Sequence, residues 1–140
     1  MTVYLDASVL VPLFAIDSLN SRAEKALRSL QNELIVSDLS AAEFSSVIAR
    51  RVRTRDLRAE EARTAFLNFD IWCNRYSRLV NIERIDFSQA IGLMRRLELS
   101  LRTPDALHIA IAQRIGGTLL TFDKRMASAA RVLGIDLMVG

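Results

Sequence analysis

Four acidic residues are the part of this sequence whose types and spacing could do chemistry. Asp6, Glu43, Asp105 and Asp123 are far apart along the chain, and three of them stand where a strand or loop is expected to pass into a helix. In an α/β fold such junctions gather at one edge of the sheet. Carboxylates brought together there raise one another's pKa and oppose folding unless cations neutralise them. The pattern therefore predicts a site for a divalent cation such as Mg²⁺ or Mn²⁺, which prefers oxygen ligands.

A site of this kind suits the hydrolysis of phosphodiester bonds, because a divalent cation can generate hydroxide, orient the phosphate and stabilise the leaving oxygen. Other catalytic arrangements are poorly supplied. His108 is the only histidine, which excludes a nuclease with one histidine as acid and a second as base. We expect this histidine to be packed, or to support a ligand, rather than to be a ligand itself. The chain has no nucleophile elbow of the G-x-S-x-G type and no glycine-rich nucleotide-binding loop.

Each acid also has a purely structural explanation. Asp6 and Asp123 could cap the helices that follow them. Asp105 falls in the first turn of a helix, where a negative charge meets the positive end of the backbone dipole. These explanations do not compete with the metal site, because helix starts and strand ends converge on the same edge of the sheet.

Hydroxyl side chains near the acids have two interpretations each. Ser40 could form a capping box with Glu43, or the helix could begin at Ser37 and place Glu43 in its second turn. Ser8 lies two residues after the first acid and could bond to that carboxylate or to a metal-bound water, or it could be an ordinary hydroxyl at a helix start. Thr121 has the same ambiguity. We therefore regard Ser8 and Thr121 as candidate supporting residues.

Strands alternate with helices along the chain, which predicts a parallel sheet covered by helices on both faces. From apolar runs and apolar periodicity, strands are expected at Thr2–Leu5, Glu33–Val36, Leu79–Ile82, Thr118–Thr121 and Ile135–Met138. Helices are expected at Ser8–Ile16, Leu19–Leu30, Leu39–Arg53, Arg58–Ser77, Ser88–Leu99, Thr103–Ile115 and Lys124–Leu133. In the sixth helix Thr103 can act as the cap, Pro104 fills the first position and Gly116 ends the helix. We expect residues 1–140 to form a single doubly wound α/β domain.

The composition limits the setting in which the protein works. Cys73 is the only cysteine, so an intramolecular disulfide is impossible and a structural zinc site is not indicated. The longest apolar run, Val9 to Ile16, is far shorter than the roughly 20 residues that span a membrane, and no signal peptide is visible. These features favour a reducing cytoplasm and no membrane partner.

The basic residues are almost all arginine: of the 19, only Lys25 and Lys124 are lysine. Arginine binds phosphates in a bidentate manner, which suits a nucleic-acid partner. Codon use in a GC-rich genome would explain the bias equally well. Arg50, Arg51 and Arg53 near the end of the third helix could therefore contact an RNA backbone or form a solvated helix end.

The acids, in this order, resemble those of the PIN-domain ribonucleases, and most closely those of the VapC toxins of prokaryotic type II toxin–antitoxin pairs. The resemblance is carried by Tyr4–Leu10, Arg102–Ala110 and Leu120–Arg125, together with Glu43 in the third helix. It extends over essentially the whole chain, and the stretch around Asp105 is its most specific part.

The resemblance implies an α/β/α sandwich with a five-stranded parallel sheet and an endoribonuclease that depends on Mg²⁺ or Mn²⁺. In that family, metal-activated water attacks the phosphodiester and leaves a 5′-phosphate and a 3′-hydroxyl. By position, Asp6 and Asp105 resemble the acids most directly linked to metal. Glu43 and Asp123 resemble those that complete the site. An alternative is a catalytically vestigial PIN-like module whose acids hold an arginine-bearing partner.

The resemblance also implies protein partners: a cognate antitoxin whose tail threads the toxin groove, a homodimer of the toxin, and a hetero-oligomer of the two. On the long fourth helix, Phe66, Phe69, Trp72 and Tyr76 form an aromatic stripe that could line that groove or a dimer contact. Core packing is the favoured explanation for Phe66 and Phe69, and Trp72 is the better candidate for a partner contact.

Overall fold

Five parallel strands form the centre of the molecule in a computed structural model that describes residues 1–15 and 17–139. The strands are β1 (Thr2–Leu5), β2 (Glu33–Ser37), β3 (Ser77–Val80), β4 (Thr118–Thr121) and β5 (Leu137–Val139). They lie in the order β3-β2-β1-β4-β5, so β1 is central. Because all pairs are parallel, their carboxyl ends meet at one edge of the sheet. The predicted five-stranded parallel sheet is confirmed.

Helices cover both faces of this sheet. They are α1 (Ala7–Phe14), α2 (Asn20–Arg28), α3 (Asp38–Arg53), α4 (Ala59–Tyr76), α5 (Arg84–Met94), α6 (Thr103–Ile115) and α7 (Lys124–Val132). Successive side chains of a strand point to opposite faces. Val3 and Leu5 accordingly pack in the core that includes α1, α3 and α4, whereas Tyr4 packs in the core that includes α6 and α7. The α/β/α sandwich is confirmed.

The described residues include no helix that is both long enough and apolar enough to cross a membrane. Helix α6 is buried over most of its length. It packs between the sheet and its neighbouring helices because it carries small and branched apolar residues on several sides, as expected for an internal helix.

Aromatic rings fill the space between α3 and α4. The rings of Phe44 and Phe69 are stacked with their centroids 4.1 Å apart, and Phe14 of α1 meets both of them edge-on. Trp72 is half-buried and packs against the ring of Phe14 with centroids 5.8 Å apart. The prediction of core packing for Phe69 is therefore confirmed. Trp72 packs against the edge of this core and remains partly exposed, and its role in a partner contact stays a prediction. The large apolar side chains that α4 exposes are Leu67, Ile71 and Tyr76.

Two predicted elements are wrong at their boundaries because long-range contacts define them. Strand β3 begins at Ser77, directly after α4, and not at Leu79, since Ser77 pairs with Leu34 of β2. Helix α5 begins at Arg84 instead of Ser88 and ends at Met94 instead of Leu99.

The early start of α5 depends on one buried acid. Asp86 is 1% exposed, and its carboxylate accepts a hydrogen bond from the Glu83 backbone N–H (2.8 Å). Its two oxygens also accept from Nε and Nη2 of Arg114, at 2.8 and 3.0 Å. Arg114 lies on α6, so this ion pair links α5 to α6. Bidentate pairs of this kind are among the stronger charge-assisted bonds.

The remaining boundaries agree closely with the sequence. Helix α6 and strands β1 and β4 match their predicted limits, and the other ends differ by two residues at most, as helix and strand ends commonly do. The predicted end of the first helix, Ile16, lies outside the described residues. Gly116 ends α6 in the left-handed conformation, with φ 66°, which a residue without Cβ adopts at little cost.

Candidate active site

The four predicted acids line one cavity at the carboxyl edge of the sheet. Asp6 directly follows β1, and Asp123 follows β4, the strand next to it. Glu43 comes from α3 and Asp105 from the first turn of α6. The cavity has a volume of about 470 Å³. Four residues that are far apart in sequence thus share one cavity, because parallel strands deliver their ends to the same place.

Asp6 is the most deeply buried of these acids, at 3% exposed. It occupies the cap position of α1, but its side chain caps no backbone N–H, so the capping explanation is wrong for this residue. Instead, Oδ1 accepts a hydrogen bond from Ser8 Oγ (2.7 Å) and Oδ2 accepts one from Thr121 Oγ1 (3.0 Å). Its pKa rises to about 6, chiefly through burial and further through the charge of Asp123, although His108 and the two hydroxyls oppose the rise.

Ser8 and Thr121 also hold the chain that follows β4. Ser8 Oγ accepts a hydrogen bond from the Phe122 backbone N–H (2.9 Å), and Thr121 Oγ1 accepts one from the Asp123 N–H (2.9 Å). Each hydroxyl therefore joins Asp6 to the segment that carries Asp123. Of the two interpretations of Ser8, the bond to the aspartate itself is the one observed.

Asp123 does cap a helix. Its Oδ1 accepts hydrogen bonds from the backbone N–H groups of Arg125 (2.9 Å) and Met126 (3.2 Å) at the start of α7. Asp123 therefore both caps α7 and lines the cavity. The carboxylate is oriented by α7 while it also faces the common cavity.

Asp105 is 4% exposed and stabilises the start of α6. Its Oδ2 accepts a hydrogen bond from the Arg102 backbone N–H (3.1 Å), and the Arg102 Nε lies 3.7 Å from the same oxygen. The cap position is Arg102, and Thr103 is the first helical residue. The expectation that Thr103 caps this helix is therefore wrong. The hydrogen bond from the Arg102 backbone N–H to Asp105 places the cap one residue earlier, at Arg102.

Glu43 lies in the second turn of α3. Ser37 is the cap of that helix, and its Oγ accepts a hydrogen bond from the Ser40 backbone N–H (3.0 Å). The capping box between Ser40 and Glu43 is thus not formed, and the alternative start at Ser37 is the correct one. The Glu43 Oε1 is instead hydrogen-bonded to Nε2 of His108.

His108 is 1% exposed, and both of its ring nitrogens have protein partners. Besides the bond to Glu43, its Nδ1 lies 2.7 Å from the hydroxyl oxygen of Tyr4. Burial raises the pKa of Tyr4 well above its usual range, so the phenol stays protonated. The expectation that His108 supports an acid rather than acting as a ligand agrees with this geometry. Tyr4 was missed from the sequence, although strand alternation puts it on the same face as Asp6.

The donors in the cavity suit a hard divalent cation, since they are carboxylate and hydroxyl oxygens. Among the described residues, no cationic side chain is hydrogen-bonded to Asp6. As the side chains stand within residues 1–15 and 17–139, no three His, Cys, Asp or Glu residues are grouped closely enough to hold a metal ion. The acids therefore share the cavity without forming a ready-made coordination shell. Their assignment as metal ligands stays a prediction.

The predicted arginines have different surroundings. Arg50 and Arg51 line the cavity, together with Arg102. The Arg51 guanidinium is bound to Asp17, Nη2 to Oδ2, at 2.8 Å. Burial of Asp17 opposes ionisation, but the hydrogen bond and charge of Arg51 outweigh it and keep the pKa of Asp17 below its usual range. Arg53 is exposed and does not belong to the cavity lining.

Comparison with known proteins agrees with the sheet and the site. The model of the PIN domain family matches residues 3–132. Ribonuclease VapC46 of Mycobacterium tuberculosis is 32% identical over 140 residues, covering 97% of this chain and 95% of the relative. The crystal structure of VapC20 from the same organism, a toxin that cleaves the sarcin–ricin loop, has a TM-score of 0.75 at 20% identity and covers 91% of this chain and 94% of that one.

A toxin–antitoxin complex from Klebsiella pneumoniae also has this fold, with a TM-score of 0.60 at 22% identity, and it covers 89% of this chain and 90% of that one. The likeness to these two solved structures concerns the fold. The family model and the relative at 32% identity extend over nearly the entire chain. The chain belongs to the PIN domain family.

Proposed function

We propose that this protein is a metal-dependent endoribonuclease that acts as the toxin of a type II toxin–antitoxin pair. The observation that carries the proposal is the single cavity lined by Asp6, Glu43, Asp105 and Asp123 at the carboxyl ends of β1 and β4. A relative that is 32% identical is named a ribonuclease and supports the choice of RNA as substrate.

Asp6 and Asp105 would hold the cation most directly, and Glu43 and Asp123 would complete the site. When bound, Mg²⁺ or Mn²⁺ supplies Lewis acidity, a lowered pKa of water and charge neutralisation at the phosphate. The chain's own contribution is orientation. Ser8 and Thr121 hold both oxygens of Asp6, and α7 holds one oxygen of Asp123.

The net reaction is hydrolysis of one phosphodiester bond. Water adds to phosphorus, the bond between phosphorus and the 3′-oxygen breaks, and the products carry a 5′-phosphate and a 3′-hydroxyl. The carboxylates place negative charge where the scissile phosphate must lie and would repel that phosphate in the absence of cations, whereas Arg50 at the cavity lining would still contact a neighbouring phosphate. Activity should therefore require a divalent cation both to admit the phosphate and to support the reaction.

We also propose that the protein binds a cognate antitoxin and forms a homodimer. The likeness to a toxin–antitoxin complex from Klebsiella pneumoniae supports an antitoxin partner. An arginine from such a partner would meet a buried, negatively charged cavity that Arg50, Arg51 and Arg102 neutralise only in part. Arginine pairs with carboxylates in a bidentate manner, which suits this role.

The function is tested with purified protein, freed of any partner, incubated with total cellular RNA in Mg²⁺, Mn²⁺ or EDTA. Cleavage that requires the cation and yields 5′-phosphate ends supports the proposal. An intact, folded protein that cuts no RNA under any of these conditions, yet binds an arginine-bearing peptide, would instead support the vestigial binding module.

Substitution of Arg50 by Ala is expected to weaken RNA binding in the presence of EDTA and to lower the slope of log K against log salt by about 1, because one phosphate contact is lost. Within the described part of the chain, the Arg50 side chain has no ion pair and lies at the cavity, whereas Arg51 is bound to Asp17. Filter binding over a range of salt concentrations measures both quantities.

Arg53→Ala is the matched control, since it removes the same charge three residues away and outside the cavity. It should leave the affinity and the salt slope close to the wild-type values. Equal effects of the two substitutions would mean that the arginines act only through overall charge.

A further inference from the structure

We propose that His108 is a positioning residue that orients the Glu43 carboxylate in the acidic cavity through a buried hydrogen-bond network anchored by Tyr4. This rests on the proposed function only insofar as Glu43 belongs to the metal-binding acids. His108 itself is 1% exposed and has both ring nitrogens bonded to protein atoms, so it holds Glu43 from behind the cavity.

The far end of the network is anchored in the core. The Tyr4 hydroxyl oxygen lies 2.7 Å from Nδ1 of His108 and 2.7 Å from Ser37 Oγ. Ser40 Oγ lies 3.3 Å from the Tyr4 hydroxyl oxygen and donates a hydrogen bond to the Leu5 carbonyl (2.8 Å). All of these side chains are buried. Among the described residues, no buried side-chain nitrogen or oxygen is left without a partner.

The chemistry of the partners determines which ring nitrogen carries the proton. An ionised carboxylate only accepts hydrogen bonds, so Nε2 of His108 must donate to Glu43. In the neutral ring, Nδ1 is then an acceptor, and the Tyr4 O–H, which stays protonated, can donate to it. In either charge state of the ring, the proton on Nε2 is directed at Glu43, a residue of the cavity.

The network joins the three elements that carry three of the acids. Tyr4 lies on β1, two residues before Asp6, and His108 follows Asp105 by three residues on α6. Glu43 lies on α3, whose cap residue is Ser37 and whose first turn contains Ser40. One buried set of hydrogen bonds thus links the strand and both helices behind the cavity.

Glu43 needs such a restraint more than the other acids do. Its side chain is 33% exposed, and His108 is its one hydrogen-bond partner found within residues 1–15 and 17–139. Asp6, Asp105 and Asp123 are each held by their own neighbours, as described above. A glutamate has several rotatable bonds, and fixing its rotamer beforehand removes an entropic cost from cation binding. Partners that orient metal ligands typically contribute about 10- to 100-fold in metal affinity.

Two substitutions separate positioning from simple packing. In His108→Gln the amide nitrogen can take the place of Nε2 and still donate to Glu43. In His108→Asn the shorter amide takes the place of Nδ1 and reaches only Tyr4. If His108 merely fills the core, the two variants should behave alike, because each removes the ring and leaves a similar polar group.

The readout is Mn²⁺ affinity of the full chain, measured by titration calorimetry without RNA. We expect His108→Asn to bind Mn²⁺ about 10- to 100-fold more weakly than the wild type, and His108→Gln to recover most of the loss. Equal affinities of the two variants, whether both lowered or both unchanged, would overturn the proposal. The measurement does not depend on cleavage, so a failure of the nuclease assignment would be seen separately in the RNA assay.

A second measurement needs no substitution at His108. Since the chain has a single histidine, its ring nitrogens give unambiguous NMR signals in ¹⁵N-labelled protein. We expect Nε2 to be protonated and its proton to exchange slowly, and both its shift and its exchange to change in Glu43→Ala. A ring protonated at Nδ1 alone, or a ring unaffected by Glu43→Ala, would contradict the proposal even if the His108 variants failed to fold.

Discussion

Replacement of Asp6 or Asp105 by Asn is expected to reduce RNA cleavage by more than about 100-fold, because residues that only support a metal ligand already contribute about 10- to 100-fold. Both side chains are more than nine-tenths buried and line the acidic cavity. Asn has nearly the same shape but lacks the negative charge that would hold a cation. Initial cleavage rates in saturating Mg²⁺ measure the effect, with circular dichroism as a check of the fold.

Asp136→Asn is a suitable control for this experiment. Asp136 is exposed and precedes β5, so it lies at the opposite edge of the sheet from the cavity. Its substitution removes an aspartate charge without touching the site and should leave the rate unchanged. Normal cleavage by folded Asp6→Asn or Asp105→Asn protein would show that the acidic cavity is not the active site.

The same Asp6→Asn substitution is expected to stabilise the protein at neutral pH in EDTA. Burial raises the pKa of Asp6 from 3.8 to about 6, and each pKa unit corresponds to about 1.4 kcal/mol. The charged carboxylate therefore costs the folded state up to about 3 kcal/mol. The gain in the variant should be smaller than this, because an amide oxygen replaces only one of the two acceptors that Ser8 and Thr121 use.

The pH dependence of this effect has a definite sign. Well below the unfolded pKa of 3.8 the carboxyl is protonated in both the folded and the unfolded chain, and no penalty exists. As pH rises towards about 6 the unfolded chain loses its proton first, so the free energy of unfolding falls. Above that range the penalty is constant. Asp6→Asn should lack this decline, so its stability advantage over the wild type should shrink as the pH falls to about 4.

Urea unfolding between about pH 4 and pH 8, in EDTA, measures this difference, with Asp136→Asn as the exposed counterpart that keeps the wild-type profile. Identical pH profiles for wild type and Asp6→Asn would contradict the assignment of Asp6 as a strained, buried acid. Adding Mn²⁺ should then stabilise the wild type more than the variant, because a cation that binds only the folded state shifts the equilibrium towards it. Asp6 would thus be needed for the reaction although its ionised carboxylate destabilises the metal-free protein.

Much of the architecture follows from local patterns. The alternation of apolar strands and amphipathic helices predicts the parallel sheet, and Pro104 and Gly116 delimit α6 within a short stretch of chain. Cap, periodicity and glycine signals are short-range, so they can be recognised without tertiary information. Where a boundary depends on a distant partner, local patterns fail. Strand β3 begins at Ser77 because it pairs with β2, and α5 begins at Arg84 because buried Asp86 meets Arg114.

In the candidate site, too, some features follow from local sequence and others depend on tertiary contacts. The sequence by itself determined which acids come to the cavity, since Asp6 and Asp123 stand at strand ends and the ends of parallel strands must meet. The tertiary structure decided what surrounds each acid. Burial among distant residues raises the pKa of Asp6. The ion pair with Asp17 fixes the Arg51 guanidinium. The hydrogen bonds from Tyr4 through His108 to Glu43 likewise join residues that are far apart along the chain. Burial and hydrogen-bond partners are properties of the packed molecule, and the spacing of residues along the chain does not contain them.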